Sequence, residues 1–237
     1  MALPKINTPT YELVVPSTDE KVKFRPFLVK EEKVLMMALE SKDNTEIIRA
    51  VKDIVQTCTF EAIDLSDRPM FDMEYIFLQI RSKSVGEVSK IKILAPDDKE
   101  TYVDTEIDLT KVNVEIGEGH SPKIDLGDGM GLLMKYPTID SFDAGGIAEI
   151  NAENMLDIIA DCISQITEDD GETVYETKDQ TKKEVIEFIE QMNTKQFQDV
   201  QQFFDTMHKL KHTIKVKNPK TKVESEVTLN GLADFFV

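Results

Sequence analysis

Along this chain of 237 residues the hydrophobic period changes from 3.6 to 2, and after a glycine-rich stretch it does so again. A 3.6 period puts apolar side chains on one face of a helix, and a period of 2 puts them on one face of a strand. No purely helical or purely sheet fold accommodates both, so the chain reads as α+β. The changes divide it into an extended N-terminal arm (1–27), a first helical-plus-hairpin unit (28–116), a Gly-rich linking or contact segment (117–146) and a second helical-plus-hairpin unit (147–237).

In the arm, Pro4, Pro9, Pro16 and Pro26 forbid a continuous helix, and Tyr11–Val15 reads as one short strand. Helices are then predicted over Lys30–Ser41, from an Asp43 or Asn44 cap through Cys58, and from Asp72 to the stop at Gly86. Val88–Leu94 and Thr101–Leu109 alternate about a turn at Ala95-Pro96-Asp97-Asp98, which predicts a β-hairpin. Val112–Ile116 is a candidate further strand. Beyond the glycines, one apolar face runs from Met155 to Ile166, and Glu172–Thr177 is a candidate strand. Thr181-Lys-Lys-Glu184 is a capping box, and Thr194 opens a last helix whose end carries Lys209, Lys211 and His212. A second hairpin follows, Thr213–Lys217 and Lys222–Leu229 about Asn218-Pro219-Lys220.

The two hairpins resemble each other. Ile91-Lys-Ile-Leu-Ala-Pro96 aligns with Ile214-Lys-Val-Lys-Asn-Pro219 at a shift of 123 residues. The chain therefore reads as two related halves, each a helical block followed by a β-hairpin. Each hairpin also has the outline of a degenerate zinc ribbon. Ribbon knuckles take Cys or His pairs, and Pro96-Asp-Asp-Lys and Pro219-Lys-Thr-Lys hold none, so no metal is expected.

Chemistry is weakly signalled. His208 and His212 are four apart but lack a third ligand and are flanked by lysines. Gly-Asp-Gly-Met-Gly at 127–131 fails both phosphate-loop patterns. No catalytic residues, cofactor site or small-molecule site emerges, and a non-enzymatic protein is expected. With 28 Lys and Arg against 45 Asp and Glu, the net charge is −17. Such a polyanion disfavours nucleic acid and anionic membranes and suits basic protein surfaces. No apolar run of 18 residues and no signal-peptide pattern is present in the sequence. Cys58 and Cys162 sit in apolar helical patterns and read as buried thiols.

What remains is contact surface. Met36 and Met37 are adjacent, so both cannot face one core stripe. Met130, Leu132, Met134 and Tyr136 lie in the glycine-rich middle, and Leu232, Phe235 and Phe236 end the chain. Methionine adapts to varied surfaces and aromatics anchor interfaces, so these nine residues are the candidate partner-binding set. An apolar chain end docks either on its own domain or on a partner.

Three segments carry a likeness: Phe24-Arg-Pro-Phe-Leu-Val-Lys-Glu-Glu-Lys-Val-Leu35, Asp72-Met-Glu-Tyr-Ile-Phe-Leu-Gln-Ile-Arg-Ser-Lys-Ser-Val-Gly-Glu87 and Leu229-Asn-Gly-Leu-Ala-Asp-Phe-Phe236. Together they resemble the baseplate hub subunit and hub assembly family of T4-type phages with contractile tails. The likeness covers most of the chain, most strongly residues 20–110. It implies a tail protein made in the host bacterial cytoplasm that takes part in forming the baseplate hub, bound to other tail and baseplate proteins and compatible with a symmetric oligomer. It leaves open a resident subunit of the virion baseplate or an assembly chaperone that departs, and it brings no catalytic residues.

Overall fold

The structure is a computed structural model, and it describes residues 6–139 and 154–235. It is α+β and divides into two compact units. The first comprises residues 1–115 and 209–237, and the second residues 116–208. The sequence places its boundaries at 116 and 147 instead. The C-terminal hairpin, expected to close the second unit, belongs to the first, because its apolar face completes the core of the hairpin at 88–108.

The first unit opens on a hairpin, β1 (Tyr11–Val14) and β2 (Lys21–Phe24), where a single strand in an extended arm was expected. Leu13, Val15, Val22 and Phe24 are buried, so the arm packs on its own unit. The backbone N–H of Arg25 donates to Cys58 O at 2.9 Å. Ser17 donates through its backbone N–H (3.0 Å) and its hydroxyl to the Asp72 carboxylate. Three helices follow: α1 (Val29–Ser41), α2 (Asn44–Cys58) and α3 (Met70–Ser84), with α1 against α2 and α2 against α3. Asp43 caps α2 by accepting from Thr45 N at 2.8 Å. The Glu31 carboxylate satisfies the orphan N–H of Leu28 at the start of α1 (2.7 Å) and pairs with Arg25 at 2.9 Å. Those partners hold its pKa below the usual value against the opposing effect of burial.

The remainder of the unit is β3 (Val88–Leu94) with β4 (Tyr102–Asp108), and a three-stranded sheet ordered β11-β10-β5. These strands are β5 (Asn113–Glu115), β10 (Lys209–Lys217) and β11 (Glu224–Asn230). The expected helix through Lys211 therefore stops early, and Lys209–Leu210 is strand because Leu210 enters the core. One hydrophobic cluster joins Leu78 of α3, Ile91, Ile93 and Ile107 of the first hairpin, and Leu210, Val216 and Leu229 of the second. The two hairpins are thus halves of one core.

One turn closes three hairpins. Val15-Pro16, Ala95-Pro96 and Asn218-Pro219 each begin a loop whose first carbonyl accepts from the fourth following residue. Those donors are Asp19 (2.9 Å), Lys99 (2.9 Å) and Lys222 (3.0 Å). All three have φ between 54° and 65°. Proline fixes φ at the second position, and the left-handed fifth residue turns the chain back. The tips of the later two adjoin. Asn218 Nδ2 donates to both Asp97 carboxylate oxygens at 3.0 and 3.1 Å, and the Thr221 hydroxyl donates to Asp97 as well.

The second unit is a four-stranded antiparallel sheet ordered β6-β7-β8-β9, made of Lys123–Gly127, Met130–Met134, Ile163–Glu168 and Thr173–Glu176. Helices α4 (Met155–Cys162), α5 (Lys182–Glu190) and α6 (Thr194–Thr206) complete it. Ile163 and Ile166, expected in the helix, lie in strand β8 instead. The Thr181/Glu184 capping box forms on α5, whereas Asn193 rather than Thr194 caps α6. The core gathers Ile124, Leu126, Leu132 and Met134 with Ile158, Ile159, Cys162, Val185, Ile189, Val200 and Phe203. Both cysteines are free and buried, and burial pushes the thiol of Cys58 up to about 11 and that of Cys162 to about 12.

Candidate interaction surfaces

Helix α1 buries one narrow stripe, Glu31, Leu35 and Ala38. The rest of its surface mixes the exposed polar residues Lys30, Glu32, Lys33, Glu40 and Ser41 with apolar ones. Val29 is 80% exposed, Met36 56% and Met37 60%, and Val34 and Leu39 are also exposed. At 100° per residue these five apolar side chains spread around the helix outside its buried stripe. Exposed apolar side chains gathered on one element mark a surface that a partner can cover. Met36 and Met37 both face outward on this surface. Val29, Val34 and Leu39 join them there without having been among the sequence candidates.

The other candidates divide. Leu132 and Met134 are buried, because β7 is an interior strand whose inward face meets the helices of its unit. Met130 and Tyr136 are partly buried against the same core. Phe235 is fully buried and Leu232 packs against the core of the first unit. Leu132, Met134 and Phe235 are thus core residues of this chain. Phe236 lies outside the described residues.

Tyr136 has a different role from the one expected. Its hydroxyl lies 3.1 Å from His120 Nε2 and 2.8 Å from His208 Nδ1. His120 Nδ1 lies 3.1 Å from the Thr206 hydroxyl, which itself donates to Gln202 O at 2.7 Å. The Thr206 proton is therefore committed, so His120 Nδ1 carries the hydrogen between them. With His120 neutral, its Nδ1–H donates to Thr206, Tyr136 O–H donates to His120 Nε2 and His208 Nδ1–H donates to the Tyr136 oxygen, whereas a protonated His120 reverses both Tyr136 bonds. Only neutral His120 fits this polarity. Burial, and then the neighbouring His208, hold its pKa below the ordinary value. The group contributes stability above about pH 6.5, its ordinary pKa, and loses it as pH falls through the folded value. Tyr136→Phe is expected to lower the stability of this unit by about 1 kcal/mol and to alter its acid sensitivity, read by thermal melts between pH 5 and 8. An unchanged pH profile would count against this order of protons.

Charge is unequally shared. Residues 116–208 carry 6 Lys and no Arg against 20 Asp and Glu, a net −14. The remaining residues hold 22 bases and 25 acids, a net −3. The acidity seen in the whole sequence is therefore a property of the second unit.

Neither the exposed apolar side chains of α1 nor the acidic unit says to what assembly the chain belongs. The family model described as T4 bacteriophage base plate protein matches residues 8–237. The chain belongs to that family. No curated protein and no solved structure matched the chain. As a base plate protein it has a structural place in the phage tail, among other tail proteins. No helix among its described residues is long and apolar enough to cross a membrane.

Proposed function

We propose that this base plate protein is a non-enzymatic structural subunit of the hub, joined to other tail proteins in the host cytoplasm and retained in the virion. The observation that carries this reading is the outward apolar surface of α1, centred on Met36 and Met37. Five exposed apolar side chains on one helix are unfavourable in water and favourable once a partner covers them. The reading needs no cofactor and no small-molecule substrate.

Two measurements test it. Mass spectrometry of purified particles should find several copies per virion. The double substitution Met36→Asp, Met37→Asp should abolish incorporation while changing the stability of the free protein by about 0.5 kcal/mol or less, as surface substitutions do. Absence from purified particles would instead identify an assembly chaperone that departs. Normal incorporation of the double variant would remove α1 from the interface.

A further inference from the structure

The two edges of the sheet in the second unit are treated differently. At the β6 edge, the ladder to β7 shifts register between Asp125 and Gly127, and Gln196 Nε2 reaches over from α6 to donate to Leu126 O at 2.7 Å. A bulge and a side chain spent on the outer backbone are the devices that blunt an edge against further strands.

The β9 edge has neither. Its ladder to β8 runs unshifted through Gln165↔Glu176, Ile166↔Tyr175, Thr167↔Val174 and Glu168↔Thr173. Thr173-Val-Tyr-Glu176 contains no Lys and no Pro, and three of its residues favour strand. Val174 is 47% exposed and Tyr175 43%, on opposite faces of the strand. In an antiparallel ladder, alternate residues of an edge strand aim their N–H and C=O groups away from the sheet. Among the described residues no other strand pairs with β9.

Acid surrounds this edge. Glu168 accepts from the Tyr175 hydroxyl at 3.0 Å, Glu176 accepts from Gln165 at 2.6 Å, and Glu172 and Asp179 are exposed beside the strand. The whole unit carries net −14. Two copies of such an edge repel each other, so charge blocks self-pairing where a bulge or lysine does so elsewhere. The same field attracts a cationic strand.

We propose that β9 is a docking edge which accepts an extended, lysine- or arginine-bearing segment of a partner protein as a fifth strand. Main-chain hydrogen bonds give the attachment, Val174 and Tyr175 pack against its alternate side chains, and the acidic surround selects for base. This rests on the reading of the chain as a binding subunit, and it names a second contact separate from α1. With only four residues in the strand, binding is modest and falls steeply with salt.

The full-length protein should be titrated with two fluorescent nine-residue peptides, one alternating Lys with Val and the other Glu with Val. The basic peptide is expected to bind, to weaken as salt rises, and to shift the amide NMR signals of residues 172–177 but not those of 123–127. Val174→Lys should weaken it about tenfold, equivalent to about 1.4 kcal/mol, and Val174→Thr should not. Thermal melts confirm that both variants fold, as their exposed position permits. Equal binding of both peptides, no binding of either, or binding of the basic peptide undiminished by Val174→Lys would overturn the proposal. Particle incorporation of the Met36/Met37 variant is read separately, so failure at β9 leaves the hub assignment standing and failure at α1 leaves the peptide result interpretable.

Discussion

Replacing Phe235 with Ala is expected to destabilise the first unit by about 3–5 kcal/mol, a large part of the 5–15 kcal/mol available to a domain. The ring is fully buried in the cluster formed by both hairpins and Leu78 of α3. Its removal leaves a cavity lined by side chains anchored in three separate elements, which cannot collapse together to fill it. The surrounding segment is also tied by its backbone. Leu232 N–H donates to Glu74 at 3.0 Å, Asn230 N–H to Asp234 at 2.7 Å, and the Ser89 hydroxyl reaches Phe235 O at 3.5 Å. Truncation after Asn230 removes all of these and should cost more than the point substitution. Urea unfolding of both variants is the measurement, and a loss below about 1 kcal/mol would return Phe235 to the candidate contacts.

The second large effect is one of pH. Glu74 projects from α3 to hold the C-terminal segment, and burial, opposed by the Leu232 hydrogen bond, pushes its carboxyl up to about 7, with Asp234 adding repulsion. A carboxyl raised from 4.5 in the unfolded chain binds its proton more tightly when folded. Its contribution is therefore complete below about pH 4.5 and is lost as pH rises through about 7. The difference between these values corresponds to about 3 kcal/mol at pH 8. Glu74→Gln keeps an oxygen for Leu232 N–H and removes the charge. The variant should thus be more stable than the parent at pH 8, with little difference near pH 4. A variant less stable at pH 8 would show that the carboxylate is not disfavoured there. This trend opposes that of His120 and that of Glu31, so Glu74 is read by its own variant rather than from the parent's overall pH profile.

The local elements are legible where one physical signal dominates. Asp97 and Pro219 mark two turns because proline fixes φ and short polar residues satisfy turn amides. The Thr181/Glu184 box marks the start of α5 because the two residues satisfy each other's orphan amides. The same turn at Pro16 escapes notice because Tyr11–Val14 and Lys21–Phe24 are too short to show a period. Ile163 reads as helix because a continuous apolar run has no period that separates helix from buried strand. Assembly is less legible than the elements. Nothing local to Lys209–Asn230 tells that its apolar face closes the core of a hairpin 123 residues earlier. The contact residues divide on the same principle. The outward placement of Met36 and Met37 follows from their adjacency, whereas Phe235 and Met134 have the composition of anchors and the environment of a core.

The acidic unit is spliced into a single ladder. Its two ends continue β5 and β10, which pair as Lys209↔Glu115, Leu210↔Val114 and Lys211↔Asn113. Antiparallel partners lie about 4.5–5.5 Å apart, a gap that a two-residue turn spans. Everything between them is therefore a cassette in topology, entered and left at two paired residues of one ladder. Charge, edge strand and histidine relay all travel with the cassette. The α1 surface lies outside this segment, so the two proposed contacts belong to separate parts of the chain.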